Sequence, residues 1–391
     1  MSERFVASHI KALKPSGIRR FFDLAQSMEG VISLGVGEPD FTTPWSVIEA
    51  SYHSLERGFT AYTPNAGLLA LRQSICRFLD TRFHVQYHPE DEVIVTVGAS
   101  QAIDLAFRAM LNPGDEVIVM EPSFVSYVPT ITLAGGVPVV VDTYEKDAFK
   151  LSKDAVEAAI TDKTKAILIC SPNNPTGAVL TKEDLMGISE VIKRHDLFVI
   201  SDEIYADLLY DDMYTSIASL EGMKERTLLV SGFSKAFAMT GWRLGYVCGP
   251  TALIAEMLKI HQYTIMSAPT MAQYGAVEAL ENGLSEVEMM RESYKQRRNY
   301  VVKTLTRMGL DCHMPGGAFY VFPSIKSTGL TSSEFAERLL MEEKVAVVPG
   351  NVFGDSGEGY IRCSYAASMK QLIEAMERMA HFIKQLTAEG S

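Results

Sequence analysis

Seven short apolar runs recur between residues 93 and 248, and most are separated by enough chain for a helix. They are 93–97, 117–120, 137–141, 166–170, 198–201, 228–230 and 244–248. Intervening segments such as 102–110 and 185–194 repeat apolar residues at helical spacing. A strand that is apolar at every position is buried on both faces, and crossover helices are what bury it. The expected class is therefore α/β, with a large domain built on a mostly parallel seven-stranded sheet covered by helices. Ligands of such sheets bind beyond the carboxyl ends of the strands, so the residues just past each run are the test of function.

After 93–97 come Gly98, Ala99 and Ser100, opening a helix. Small residues at a helix N-terminus, with free N–H groups and the positive end of the dipole, suit a phosphate. After 117–120 comes Phe124; after 166–170, Asn174 in the turn Ser171-Pro172-Asn173-Asn174-Pro175-Thr176-Gly177; after 198–201, Asp202 and Tyr205. After 228–230 comes Ser231-Gly232-Phe233-Ser234-Lys235, with Arg243 eight positions beyond the lysine. Each cluster alone has a dull explanation as a turn, a cap or a packed ring. Five at successive strand ends make one site. A lysine just past a buried strand is partly desolvated, which favours the neutral amine that attacks a carbonyl. An arginine among small polar residues suits a phosphate. An imine-forming lysine beside a phosphate site is the signature of pyridoxal phosphate. In that chemistry Asp202 keeps a pyridine nitrogen protonated, Tyr205 and Asn174 serve the imine proton and ring oxygen, and Phe124 stacks on the ring. Arg243, the amides of Ala99 and Ser100, and the hydroxyls of Ser100 and Ser234 hold the phosphate.

Asn174-Pro175-Thr176-Gly177, Asp202-x-x-Tyr205 and Ser234-Lys235-(x)7-Arg243-x-Gly245, in this order and spacing, resemble the class I/II aminotransferases of the pyridoxal-phosphate fold type I superfamily. The resemblance covers nearly the whole chain. Within the family the chain is similar to the bacterial aspartate and N-acetyl-diaminopimelate aminotransferases. The resemblance implies that Lys235 carries the internal aldimine and moves the proton between Cα and C4′. It implies a homodimer in which Tyr62 reaches the phosphate of the neighbouring subunit's cofactor. It implies that Arg362 binds the substrate α-carboxylate, with Gly37 and Asn174 helping, and that 2-oxoglutarate is the amino acceptor. Two positions depart from the family. Gly232 stands where a serine or threonine is frequent, so Ser231 or Ser234 is expected to supply the phosphate hydroxyl. Phe124 stands where a tyrosine or tryptophan is frequent, so it stacks without a hydrogen bond.

The rest of the chain reads as a second, smaller α+β domain. It comprises residues 1–44, with an N-terminal arm, and 291–391; residues 45–290 form the cofactor-binding domain. A Lys14-Pro15-Ser16-Gly17 break precedes a helix over 18–28, which Ser16 and Gly17 would cap, unless they line a substrate entrance. Gly35-x-Gly37 follows a short strand at 31–34 and permits close backbone approach to a ligand. Tyr62 lies in a turn-rich loop, where a tyrosine is more often exposed. A charged helix is expected over 287–308, a turn and strand over 315–322, short strands over 345–350 and 360–364, and a terminal amphipathic helix over 372–386. Arg362, between Ile361 and Cys363, is expected to alternate away from the core. It reads either as a solvated strand arginine or, given the cofactor motifs, as a carboxylate clamp.

Composition narrows the partners. The net charge of −12 argues against nucleic acid. The start of the chain has no apolar signal core, and no run is long enough for a membrane span. The five cysteines are scattered and mostly in apolar runs, which fits reduced core residues of a cytoplasmic protein. No CxxC or HExxH occurs, so no metal is expected. The expected activity is ping-pong transamination between an amino acid and a 2-oxo acid. The alternatives are another reaction of the same cofactor, such as β-elimination, or a ligand-sensing regulator domain. The acidic charge and the short stretch before the first strand disfavour the regulator.

Overall fold

A computed structural model describes residues 2–11, 13 and 28–389. The expected break at 14–17 and the helix it would cap fall almost wholly outside the described residues. Strand β1 is Ile32–Ser33, and the seven runs become β2 (Val93–Thr96), β3 (Glu116–Glu121), β4 (Val137–Asp142), β5 (Thr164–Cys170), β6 (Phe198–Asp202), β7 (Thr227–Gly232) and β8 (Gly245–Cys248). These seven form one sheet in the order β2-β8-β7-β6-β5-β3-β4. Only β8 runs against its neighbours, β2 and β7. The mostly parallel seven-stranded sheet is thus as the sequence indicates.

The burial of β3 explains the continuous apolar runs. Val117 and Val119 pack with Leu105, Ala106 and Phe107 of the helix Ala99–Met110 on one face. Ile118 and Met120 pack with Leu185, Ile188 and Ile192 of the helix Lys182–Arg194 on the other. Each such residue, removed from water on its own face, contributes roughly 1.5–3 kcal/mol. The run at 137–141 behaves differently. As β4 it is an edge strand, Val137 and Val140 are each 44% exposed, and the edge accommodates Pro138.

The smaller layer has β9 (Tyr320–Val321), β10 (Val345–Ala346), β11 (Val348–Pro349) and β12 (Ile361–Ser364). β11, β12 and β9 form an antiparallel sheet, and β10 pairs in parallel with β1. The helices Leu284–Arg307, Ser332–Glu343 and Met369–Glu389 cover it, packing Leu305, Phe335, Leu339, Met376 and Phe382 with Ile32, Val321, Val345 and Ile361. Thr331 and Glu334 cap the second of these helices reciprocally. The terminal helix runs three residues beyond the expected 372–386 at each end, while its buried face, Leu372 to Phe382, lies within the expected range. Tyr205 and Leu208, just beyond β6, belong to this same cluster. The carboxyl edge of the large sheet therefore faces the smaller layer. All five cysteines are free, and among the described residues no helix is long and apolar enough to cross a membrane.

Candidate active site

A cavity of about 370 Å³ opens at that edge. The six like-directed strands point their carboxyl ends at it. Because β8 is reversed, its N-terminal end, preceded by Arg243, reaches the same rim. Gly37, Ala99, Ser100, Phe124, Asn174, Asp202, Tyr205, Ser234, Lys235, Arg243 and Arg362 all line the cavity. Three expected residues do not. Gly98 lies just behind the lining, beside Arg243. Ser231 turns its hydroxyl to the Glu203 carbonyl at 3.3 Å. Tyr62 is 80% exposed, in the loop between the helices Trp45–Glu56 and Leu69–Phe83.

At one end the turn between β2 and the helix Ala99–Met110 forms an anion cradle. Gly98 has φ 78°, and a Cβ there would stand 2.8 Å from Arg243 Nη2. Gly245 packs as closely, since its Cβ would lie 2.6 Å from the Ala99 nitrogen. The two glycines let backbone and guanidinium close around one small volume. Amides of a first helical turn have no intrahelical acceptor, and the dipole adds positive potential. Arg243, itself left-handed at φ 53°, donates from Nη1 to the Thr240 carbonyl at 2.9 Å. Ser100, Ser234 and Thr240 bring hydroxyls to the lining. Thr240 was not expected there. The donor set fits a phosphate dianion. At Gly232 a Cβ would stand 2.9 Å from Gly245 Cα, so the strand pairing leaves no room for a side chain.

Asp202 closes β6 and is buried. Tyr127 donates its hydroxyl to Oδ2 at 2.6 Å, and the Ile204 amide donates to Oδ1 at 3.2 Å. Burial pushes this carboxyl above its ordinary range; the Tyr127 bond and then the Ile204 bond pull against that. A buried carboxylate that the Lys235 amine offsets only weakly is costly, and a protonated ring nitrogen would relieve it. Tyr127 is a further residue the sequence did not single out for a role. Its signal is its position three residues after Phe124, whose ring it meets edge-on at 5.6 Å.

Lys235 Nζ donates to the Gly37 carbonyl at 2.6 Å. Burial pulls its amine down to about 8, with the Glu38 carboxylate opposing and the Arg362 and Arg243 guanidinia reinforcing. The expected neutral nucleophile is therefore accessible near neutral pH.

Arg362 corrects an expectation. It does not point to solvent: β12 is buried along its length and Arg362 is 3% exposed. The rings of Tyr320 and Phe353 flank its guanidinium at 4.5 and 4.9 Å and take the place of water. Nη1 donates to Asn174 Oδ1 at 2.9 Å and Nη2 to the Gly35 carbonyl at 2.6 Å, while Nε is buried with no partner among the described residues. A buried cation with a spare donor beside a cavity is built for an anion.

Residues 29–379 match the class I and II aminotransferase family. YugH of Bacillus subtilis, which carries an aminotransferase name, is 61% identical over 98% of this chain and 99% of its own length. The aspartate aminotransferase of Pyrococcus abyssi is 49% identical over 97% of this chain and 98% of its own. The crystal structure of an aromatic aminotransferase from Pyrococcus horikoshii superposes with a TM-score of 0.90 at 49% identity, covering 94% of this chain and 99% of that one. The chain belongs to the class I and II aminotransferases, enzymes that use pyridoxal 5′-phosphate to move an amino group between an amino acid and a 2-oxo acid.

Proposed function

We propose that the protein runs its transamination as a ping-pong exchange with 2-oxoglutarate as the amino acceptor. The observation that carries the amino transfer is one cavity holding the buried Lys235 amine, a buried carboxylate and a buried arginine with a spare donor, while the acceptor is what the family resemblance implies. The bound cofactor supplies an acceptor for the electron pair left when substrate Cα loses its proton. Lys235 is the amine that holds the cofactor covalently and then carries the proton at substrate Cα. Asp202, oriented by Tyr127, keeps the ring nitrogen protonated. Tyr205 and Asn174 donate to the ring oxygen, and Phe124 stacks on the ring. The amides of Ala99 and Ser100, the Arg243 guanidinium and the Ser234 hydroxyl hold the phosphate, with Gly98 giving them room. Ser234 is favoured over Ser231, whose hydroxyl is engaged by Glu203. Arg362 takes the substrate α-carboxylate, with Asn174 and the Gly37 backbone beside it.

The same reading makes the protein a cytoplasmic homodimer in which Tyr62 serves the neighbouring subunit's site. It divides the chain into a cofactor domain of residues 45–290 and a smaller domain of 1–44 and 291–391. The exposed Tyr62 and the core shared by β1 and the C-terminal helices support this.

The test is a donor screen. Relatives named for aspartate and for aromatic substrates put those two donor classes first, followed by acylated diamino acids. A competent donor alone should release one equivalent of its 2-oxo acid per site, and 2-oxoglutarate added afterwards should yield one equivalent of glutamate. Steady release of pyruvate or ammonia, with no amino transfer from any donor, would point to β-elimination instead.

A further inference from the structure

The hydroxyls of Tyr205 and Tyr320, 115 positions apart in the chain, meet at 3.0 Å beside the cavity. Burial pushes both phenols above their ordinary range, so both keep their protons at neutral pH. Two protonated hydroxyls sharing one hydrogen bond leave one proton free. If Tyr205 donates to Tyr320, its proton is spent within the protein. If Tyr320 donates, the Tyr205 proton is free for the cavity. The surroundings decide. The Arg362 guanidinium lies 4.5 Å from the Tyr320 ring centroid, and a cation on the ring face makes a phenol a better donor. The nearest cation to the Tyr205 ring is Lys235 Nζ, farther away at 5.9 Å. Tyr320 is also fixed in place: a Cβ on Gly37 would stand 2.6 Å from its hydroxyl oxygen, so the glycine leaves room for it.

We propose that Tyr320 is a positioning residue for this reaction. Its hydroxyl donates to Tyr205 and so directs the Tyr205 proton into the cavity, while its ring seats the Arg362 guanidinium. This rests on the proposed role of Tyr205 as a donor to the cofactor's ring oxygen.

The test is the pH titration of the holoenzyme's visible absorption. A donor to the ring oxygen favours the deprotonated form, so Tyr205→Phe should raise the midpoint. Tyr320→Phe keeps the ring and removes only the hydroxyl that polarises Tyr205. It should raise the midpoint by a smaller amount, roughly 0.3–1 pH unit. The double variant should match Tyr205→Phe alone, because Tyr320 acts through Tyr205. The apparent KM for the amino acid should hold in Tyr320→Phe and rise in Tyr320→Leu, which loses the ring under Arg362. A midpoint that falls in Tyr320→Phe would mean that Tyr205 had been the donor of the pair, and would overturn the proposal. So would an unmoved midpoint, a shift that adds fully in the double variant, or a KM that Tyr320→Leu leaves unchanged. If Tyr205→Phe itself leaves the midpoint in place, the role of Tyr205 fails first, and that outcome is separately visible.

Discussion

Tyr127 and Asp202 meet at 2.6 Å in the protein interior, the phenol donating to Oδ2 of a carboxyl at the end of β6. The bond fixes one oxygen and leaves the carboxylate aimed along the strand into the cavity. Asp202→Asn should keep the cofactor bound and lose most turnover, because a neutral amide cannot hold the ring nitrogen's proton. Tyr127→Phe keeps the ring and removes one charge-assisted hydrogen bond, worth about 1.5–3 kcal/mol at most. It should fall between wild type and Asp202→Asn in kcat. Near-normal turnover in Asp202→Asn would remove Asp202 from the mechanism.

Lys235→Ala should abolish transamination at any cofactor concentration, since it removes the group proposed to carry the proton at substrate Cα. The depressed amine gives a second readout. With its pKa near 8, roughly a tenth of the amine is neutral at pH 7, far more than for an ordinary lysine. Capture of added cofactor by apoenzyme, followed by its visible absorption, should accelerate as pH rises through about 8 and then level off. Acceleration that continues to pH 10 would show that Lys235 behaves as a solvated lysine.

Glu203 lies behind the site and makes a stability prediction. Its carboxyl is buried and accepts from Ser216 Oγ at 2.7 Å and Ser201 Oγ at 2.9 Å. Burial raises it to about 7, against those bonds. A carboxyl raised above its unfolded value contributes stability at low pH that is lost as pH rises through the folded value. The fold should therefore weaken as pH rises from the unfolded value of 4.5 to about 7, by an amount on the order of 3 kcal/mol, and level off above that. Lys235, lowered from 10.5 to about 8, acts with the opposite sign and only above that window, and the comparison with Glu203→Gln isolates the glutamate from other groups. Apoenzyme Tm should fall more steeply with pH in wild type than in the variant, and parallel curves would show that Glu203 does not titrate there.

Much of this was legible from local pattern. The seven runs announced themselves because β3 and its neighbours are apolar on both faces, and Asp202, Asn174 and Lys235 follow strands directly. What escaped depends on distant pairs. Tyr127 acquires its role from Asp202, 75 positions away, and Tyr320 from Tyr205. Arg362 looked solvent-facing because strand alternation says nothing of the Phe353 and Tyr320 rings that cover it. The edge position of β4 depends on sheet order, which its own apolar residues do not encode.

Arg362→Lys preserves the charge but not the planar fork. A lysine cannot keep the bonds to Asn174 and Gly35 and still present a donor to substrate. Loss of one or two charge-assisted hydrogen bonds should lower kcat/KM by roughly 10- to 100-fold or more, felt mainly in KM. Cofactor affinity should be unchanged, which equilibrium dialysis can check. A KM equal to wild type would place the carboxylate site elsewhere.

Tyr62 stands outside its own chain's cavity and is 80% exposed, so any part it plays at a phosphate is played in a second subunit. Removing one hydrogen bond to a charged group weakens cofactor binding by roughly 10- to 100-fold. Tyr62→Ala should then be poorly active at limiting cofactor, and Lys235→Ala inactive. In a mixed dimer of the two, one site lacks both Lys235 and the partner's Tyr62. The other has its own Lys235 and an intact Tyr62 from the Lys235→Ala chain, and is wild type. Mixing should therefore restore, at limiting cofactor, activity that neither parent shows. If subunit exchange is demonstrated by mass and activity stays at the sum of the parents, Tyr62 does not serve a neighbouring site.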